Sequence, residues 1–266
     1  MYIMNFFDHT FAVCAYKQSS YLEKCIKSLV NQKIKSNIII TTATPNDYID
    51  KIAKKYNIPV YIREGKPDIQ DDWNFAYSMA KTQYVTIAHQ DDIYDSNYSS
   101  EIKKQICTSK KQILFFTSYR EIKNDVIIPL TRNLKIKNIM LIPLRFKIFR
   151  SNRFVRIRIL SFGSPICCPA VTYNRKLCKD KLFTSKMKCS LDWDTWYKFA
   201  KEKGQFVYIN KQLVLHRIHE ESETTNSIEN NVRQTEDLEM FSKFWPKFLA
   251  KKLSNLYSKS LDTNKL

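Results

Sequence analysis

The chain has 266 residues, enough for a full hydrophobic core, and a formal net charge of +18 at pH 7 from 44 Lys and Arg against 26 Asp and Glu. Its three glycines exclude the glycine-rich phosphate loops of nucleotide-binding proteins, so phosphate has to be bound by a metal, side chains or a helix N-terminus. Seven scattered cysteines contain no CxxC pair and complete no zinc site, which is typical of small buried side chains in a reducing compartment.

The first half of the chain alternates strand and helix signals. Predicted strands are residues 11–15, 37–41, 60–62 and a run that begins at residue 84. A helix with capping-box spacing at Ser20 and Glu23 follows the first strand, a second helix covers 47–56, and a third is capped by Asp72. Strands that alternate with helices favour a mainly parallel sheet covered on both faces.

The fourth of these strands stops at two adjacent carboxylates, Asp91 and Asp92. Ligands of open α/β sheets bind outside the carboxyl ends of the strands, which is where both acids fall. Two acids held together repel each other unless a cation or a proton relieves them, and their hard oxygens suit Mg²⁺ or Mn²⁺. A solvated Asp-Asp turn is the alternative that this stretch alone leaves open.

The second half of the chain has a different organisation. Its predicted elements are a helix at 97–107, a strand at 113–118, a helix at 192–203 ended by Gly204, strands at 206–209 and 213–218, and a helical basic tail. Between the strand at 113–118 and residue 165 lies a basic segment that is too charged for a core strand. We expect amphipathic helices or a mobile flap there.

Basic residues are concentrated in two stretches that contain no acid, residues 126–179 and 240–261. Large apolar residues are interleaved with them, which favours an anionic membrane surface as the partner; nucleic acid and a solvated lysine-rich face are the alternatives. Residues 1–9 lack the features of a signal peptide, and no run approaches the roughly 20 apolar residues of a membrane span. We therefore expect a cytoplasmic protein that is peripheral at the inner face of the cell membrane.

Five motifs lie in a defined order along the chain. They are Ala15-Tyr16-Lys17, Asn31-Gln32, His89-Gln90-Asp91-Asp92, Leu191-Asp192-Trp193-Asp194-Thr195-Trp196 and His216-Arg217-Ile218-His219. In order and spacing this set resembles family 2 glycosyltransferases with the GT-A fold, above all the bacterial members that build capsules and other surface polysaccharides. The likeness covers residues 10 to about 222.

The resemblance implies an α/β fold of GT-A type, with a mainly parallel central sheet flanked by helices and a Rossmann-like nucleotide-binding half. The implied domain is residues 1–222, with a basic amphipathic insertion at about 130–162, followed by a helical basic tail at 223–266. The implied enzyme moves a sugar, with inversion, from a nucleotide-sugar donor, UDP-linked by preference, to a saccharide or lipid-linked acceptor. Its implied cofactor is Mn²⁺ or Mg²⁺, and no nucleic-acid partner is implied.

The family's metal motif, Asp-x-Asp, aligns with His89-Gln90-Asp91, so histidine replaces its first acid. The resemblance implies that Asp91 is the main metal ligand, that Asp92 is a second ligand or a ribose contact, and that His219 is a further ligand. The part played by His89 stays open. A metal here would neutralise the charge that grows on the departing diphosphate.

The family's catalytic base is the Asp of a Glu-Asp pair at the start of a helix, and here that pair is Leu191-Asp192. Inversion takes one in-line attack, so one general base suffices, and the resemblance assigns it to Asp192. Asp194 is expected to be a helix cap or a structural acid. The alternative is that both acids only cap the helix.

The implied donor contacts are Tyr16, Thr41, Thr42, Asp72, Gln90, Asp92 and Arg217. The family's Val-Asp-Asp after the second strand is replaced by Ile40-Thr41-Thr42, so the acid that normally reads the base is missing. The hydroxyl of Thr41 or Thr42 is a possible hydrogen-bond partner for a uracil edge. Residues 166–170 match the segment that borders the acceptor in such enzymes.

Three functions follow from these features. The first is a peripheral membrane glycosyltransferase of cell-surface polysaccharide synthesis. The second is a non-catalytic nucleotide-sugar or membrane-binding module, prompted by the missing motif acids. The third is a metal-dependent nucleic-acid-processing protein, in which Asp91, Asp92 and Asp192 would bind metals and the basic face would hold the phosphates of the nucleic acid.

Overall fold

The structure is a computed structural model that describes residues 8–108, 111–219 and 232–262, with side chains up to residue 259. Within these ranges the strands β1 to β9 are His9–Ala15, Asn37–Thr42, Val60–Ile62, Tyr84–His89, Ile93–Tyr94, Gln112–Lys123, Val126–Ile127, Val171–Asn174 and Gln205–Arg217. The helices α1 to α10 are Leu22–Val30, Asp47–Tyr56, Ile69–Met79, Tyr98–Ile106, Arg132–Met140, Lys147–Arg150, Arg153–Leu160, Leu191–Lys201, Val232–Ser242 and Lys247–Asp262. The expectations for residues 1–7 and for the start of the predicted tail, 223–231, lie outside the described residues.

One sheet organises the chain, in the order β3-β2-β1-β4-β8-β6-β9-β5, with β7 paired to β6. Strands β1 to β4 pair in parallel, as does the long β6–β9 ladder, so most paired residues lie in parallel ladders. Strand β8 joins the two groups by antiparallel pairing to β4 and β6. The predicted α/β class with a mainly parallel central sheet is confirmed.

The central strands bury both faces, which explains their nearly continuous apolar sequence. In β1, Ala12 belongs to one buried cluster while Phe11 and Val13 belong to the other, on the opposite face of the sheet. Helix α1 packs on the sheet through Leu22 and Ile26, which are fully buried. Helices on both faces leave the carboxyl ends of β1, β2 and β4 at one edge of the sheet.

Two predicted helix caps are wrong. Helix α1 follows Tyr21 with no side-chain cap, so Ser20 does not form a capping box. Helix α3 begins one turn earlier than expected, because the Asp68 side chain accepts a hydrogen bond from Asp71 N and caps it. Asp72 therefore lies inside the first turn, where Arg63 Nε donates to its Oδ1 at 2.6 Å.

The two predicted closing strands are one continuous strand, β9. The polar residues 210–212 lie between the two predicted strands, and they are exposed within β9. The irregularity appears instead as register shifts against β6 between Thr117 and Tyr119. The long ladder between β6 and β9 ends at His216 and Arg217.

The basic segment is helical, as predicted, and only part of it is solvated. Leu134, Leu144 and Leu160 are buried in the core. An exposed apolar set lies on the same short helices and their connections: Ile139, Ile142, Phe146, Ile148, Phe149, Phe154 and Phe162. Lys147, Arg153 and Arg158 are exposed on the same segment. We call the exposed apolar set together with these three basic residues the basic aromatic surface.

The tail helices α9 and α10 are part of the core rather than a free appendage. Phe241 is buried and packs edge-on against Trp193 of α8, with ring centroids 5.1 Å apart. Trp245 Nε1 donates to Ser161 O at 2.7 Å. The expectation that the aromatic residues of 240–261 are available to a membrane is therefore wrong for Phe241. In the described ranges no helix is long and apolar enough to cross a membrane.

Candidate functional site

Asp92 is fully buried just beyond the end of β4, next to the last residues of β9. Its Oδ1 accepts hydrogen bonds from His216 Nδ1 at 3.0 Å and from Arg217 N at 2.9 Å. Burial opposes the charged imidazole, but the Asp92 carboxylate outweighs it and raises the pKa of His216 to about 9. His216 is therefore an imidazolium at neutral pH and forms an ion pair with Asp92.

Asp91 is the more accessible of the two acids. His219 Nε2 lies 3.0 Å from its Oδ2. Burial alone would raise the pKa of Asp91, but the hydrogen bond from His219 and the neighbouring imidazoles lower it below its ordinary value. The structure thus brings together the three residues predicted as metal ligands.

Arg217 has a supporting position rather than an exposed one. Its Nε donates to the backbone carbonyl of Asp91 at 2.9 Å, and its Nη1 donates to Asp125 at 2.9 Å. The guanidinium carbon lies 4.2 Å from the ring centre of Tyr21. Arg217 was predicted to contact the donor. The contacts that it makes in the structure hold the loop that carries Asp91 and Asp92.

His89 completes a group that fits a divalent cation. One ligand atom from each of His89, Asp91 and Asp92 lies within 4.8 Å of the others. Among the described residues, Asp92 Oδ2 and His89 Nε2 are buried without a hydrogen-bond partner, a condition that a bound ion would relieve. Trp73 stacks on the imidazole of His89, with centroids 4.9 Å apart, and fixes its plane.

The predicted nucleoside contacts fall into two groups. Gln90 holds the backbone of Tyr16 on both sides: Tyr16 N donates to Gln90 Oε1 at 2.9 Å, and Gln90 Nε2 donates to Tyr16 O at 3.1 Å. The ring of Tyr16 is 42 % exposed at the mouth of the site. By contrast, Thr41 is buried and donates to Val13 O at 3.3 Å, and the Thr42 hydroxyl accepts from Thr44 N at 3.0 Å. Neither threonine hydroxyl is presented outward.

Asp72 lies next to the site but is already paired. Its carboxylate accepts from Arg63 Nε and from Asp68 N. Its backbone carbonyl faces Cys14 at the end of β1. The predicted donor contact at Asp72 would have to share this carboxylate with Arg63.

Asp192 is the second residue of helix α8 and is half-buried. Burial raises the pKa of its carboxyl, and a 2.6 Å hydrogen bond from Trp193 N opposes that rise. Asp194, two residues on, is buried and forms ion pairs with Lys198 and Lys243, both at 2.7 Å. The two acids therefore have different environments: Asp194 is neutralised within the fold, whereas the described residues give Asp192 no ion pair.

Asp192 and the group of His89, Asp91 and Asp92 both influence one side chain. Burial is the main cause that raises the pKa of the Cys167 thiol, and the carboxylates of Asp92 and Asp192 add to it. Lys137 of α5 and Arg233 of α9 are coupled to Asp192 in the same way. The sequence interpretation missed these two cations, as well as Asp125.

The comparisons with known proteins bear on the family and on the fold. The family model "Glycosyl transferase family 2" matches residues 10–181. An uncharacterized glycosyltransferase of Rickettsia prowazekii is 25% identical, with 89% of this chain and 70% of that protein aligned.

Solved structures with a similar fold include S. aureus TarS in complex with UDP-GlcNAc, at TM-score 0.62 and 14% identity over 92% of this chain and 70% of that one. A mannosyltransferase from Pyrobaculum calidifontis in complex with GDP-Man and Mn²⁺ gives TM-score 0.62 and 13% identity over 95% and 69% of the two chains. Both likenesses show the fold alone, and they confirm the predicted GT-A type.

Proposed function

The chain belongs to glycosyl transferase family 2, and from that premise we propose that it transfers a sugar, with inversion, from a nucleotide-sugar donor to a saccharide or lipid-linked acceptor in cell-surface polysaccharide synthesis. One observation carries the proposal: His89, Asp91 and Asp92 form a group that could hold a divalent cation, and the buried atoms Asp92 Oδ2 and His89 Nε2 have no hydrogen-bond partner among the described residues. The nucleic-acid alternative has no comparable support.

In this proposal His89, Asp91 and Asp92 hold Mn²⁺ or Mg²⁺, with His219 beside them. A bound ion would supply Lewis-acid stabilisation of the negative charge on the leaving diphosphate. An imidazole nitrogen next to two carboxylates favours Mn²⁺, because Mg²⁺ takes oxygen ligands by strong preference. Mn²⁺ is also present in the Pyrobaculum calidifontis structure.

The protein groups do the rest of the chemistry. Asp192 takes the proton of the acceptor hydroxyl as its oxygen bonds to the anomeric carbon and the bond from that carbon to the phosphate oxygen breaks. His216, charged at neutral pH, adds positive charge beneath the two acids. Tyr16, held by Gln90, is placed to cover the nucleoside; a UDP-linked donor is our choice, as in the TarS complex.

A donor panel tests this function directly. Purified protein with Mn²⁺ is expected to release nucleoside diphosphate slowly from one nucleotide sugar, a UDP-sugar first, and to do so more slowly with Mg²⁺. The same reaction with EDTA is the control. A folded protein that hydrolyses none of the UDP-, GDP- and dTDP-sugars would instead be a binding module.

We also infer that the enzyme binds an anionic membrane surface through the basic aromatic surface. Ile148 and Phe154 are 79 % and 76 % exposed there, and Arg158 stacks over Phe162 at 4.8 Å. Inserted apolar side chains and basic residues that attract anionic lipid reinforce each other. In the tail, Phe241 is buried and cannot insert, whereas Phe248 is exposed.

Liposome sedimentation checks the membrane contact. The double variant Ile148→Ser, Phe154→Ser is expected to bind vesicles with anionic lipid at least about tenfold more weakly than the wild type, since two apolar side chains no longer insert. Ile62→Ser is the matched control, because Ile62 is 57 % exposed on an edge strand far from this segment in sequence. Equal binding to neutral vesicles would contradict the role of charge.

A further inference from the structure

Helix α8, which carries Asp192 as its second residue, has no side-chain cap of its own. Ser190 occupies the N-cap position, but its side chain makes no capping hydrogen bond to the first turn. The backbone N–H groups of residues 188–190, which lead into the helix, have no acceptor within it, because helical hydrogen bonds begin further along the chain. Ser190 is buried, and a buried N–H group without an acceptor is destabilising. The start of α8 therefore needs an acceptor from another segment.

Glu236 of α9 supplies that acceptor. Its Oε1 accepts a hydrogen bond from Lys188 N at 2.8 Å, and its Oε2 accepts from Cys189 N at 2.8 Å and from Ser190 N at 2.9 Å. The next residue, Asp237, adds a fourth bond, because Ser190 Oγ donates to its Oδ1 at 3.1 Å. Hydrogen bonds to a carboxylate are charge-assisted and stronger than those between neutral groups. Glu236 therefore fixes three consecutive backbone groups at once.

The Glu236 cap is built into the fold, between segments that are distant in sequence. Glu236 is 9 % exposed and lies 46 residues after Ser190. Other contacts also hold α9 in place: Phe241 packs on Trp193 of α8, and Met240 is fully buried in the same core cluster. Removal of the Glu236 carboxylate should therefore release the start of α8 while α9 stays packed.

We propose that Glu236 is a positioning residue for the general base: its carboxylate holds residues 188–190 and thereby sets the position of Asp192, two residues further along. This inference rests on the proposed function, in which Asp192 accepts the proton of the acceptor hydroxyl. Proton transfer depends on geometry, and a displacement of about 1 Å at a reacting group costs on the order of 10²-fold in rate. Glu236 acts here through the backbone of α8.

Glu236→Ala tests the inference through donor turnover. It is expected to lower kcat for release of nucleoside diphosphate by about 10- to 100-fold, while KM for the donor and the affinities for UDP and Mn²⁺ stay within about twofold. Glu236→Gln should lose less, because one side-chain oxygen remains as an acceptor. Glu239→Gln is the matched control for charge, since Glu239 is exposed on the same helix, and its kcat should equal that of the wild type.

Met240→Ala separates position from stability. Met240 is fully buried on α9, so its truncation should lower the melting temperature by an amount comparable to Glu236→Ala, while kcat stays within about threefold of the wild type. Hydrogen exchange at the amides of residues 188–190 gives a measurement that does not depend on turnover. Protection of these amides is expected to fall in Glu236→Ala and to persist in Met240→Ala.

Glu236→Ala in an Asp192→Asn background gives the most direct test. With the base already removed, loss of the Glu236 carboxylate should cost little further rate, and an equal fractional loss in both backgrounds would overturn the positioning role. Unchanged exchange protection or a wild-type kcat in Glu236→Ala would also overturn it, as would a loss of kcat in Met240→Ala as large as in Glu236→Ala. A wild-type rate in Asp192→Asn alone would instead refute the base assigned in the proposed function, and this inference with it.

Discussion

Replacing Asp91 by asparagine is expected to lower the rate of sugar transfer by about 10² to 10³, with a matching loss of Mn²⁺ affinity. The amide keeps the shape of the side chain but removes the charge that binds the cation. Metal stabilisation of a departing diphosphate amounts to several kcal/mol, and each 1.4 kcal/mol is a tenfold change in rate. Donor turnover and Mn²⁺ titration, measured on the same preparation, give both quantities.

Asp125→Asn is the control for this prediction. Asp125 is more than half exposed and pairs with the same Arg217 that supports Asp91, but it lies outside the group that could hold a cation. Its replacement should change the rate only a few-fold. Wild-type turnover and wild-type Mn²⁺ dependence in Asp91→Asn would contradict the proposed metal site. Asp92→Asn is a poorer probe, because Asp92 is fully buried and its loss would disturb the end of β9.

The parallel part of the fold and the position of the acids could be predicted from the sequence because both depend on local patterns. A short apolar run that is buried on both faces has few alternatives to a central parallel strand. Once β4 was assigned, its carboxyl end placed Asp91 and Asp92 at the ligand-binding edge. His219 was found only through the resemblance, since no local pattern links it to an acid 128 residues away.

The surroundings of Asp192 could not be predicted, because they depend on contacts between distant segments. Lys137 lies in a segment whose composition indicates a solvated or membrane-facing helix, and only packing turns its side chain toward Tyr119. Arg233 comes within electrostatic reach of Asp192 because α9 packs in the core, and a basic tail gives no sign of that. The missed cap at Asp68 has a local reason: Asp68 and Asp72 are both aspartates that fit a helix start, and the helix is capped by the earlier one.

Asp192→Asn should abolish sugar transfer while it leaves donor binding intact. A positioned general base contributes about 10² to 10⁴ in rate, and asparagine cannot accept the acceptor's proton. Burial raises the pKa of Asp192. As the pH is lowered, the wild-type rate should therefore begin to fall at a higher pH than it would with an exposed aspartate as the base. As the pH drops through that raised pKa, the carboxyl becomes protonated and the base is lost. UDP affinity, transfer rate and a pH–rate profile measure the three effects.

Asp194→Asn separates the base from the helix start. Asp194 lies two residues further along α8 and is engaged by Lys198 and Lys243, so its loss should lower the melting temperature while most of the transfer rate remains. If both acids only stabilise the helix, the two variants would lose stability and rate together. A large loss of rate in Asp192→Asn at an unchanged melting temperature, with the reverse pattern in Asp194→Asn, assigns the proton transfer to Asp192 alone.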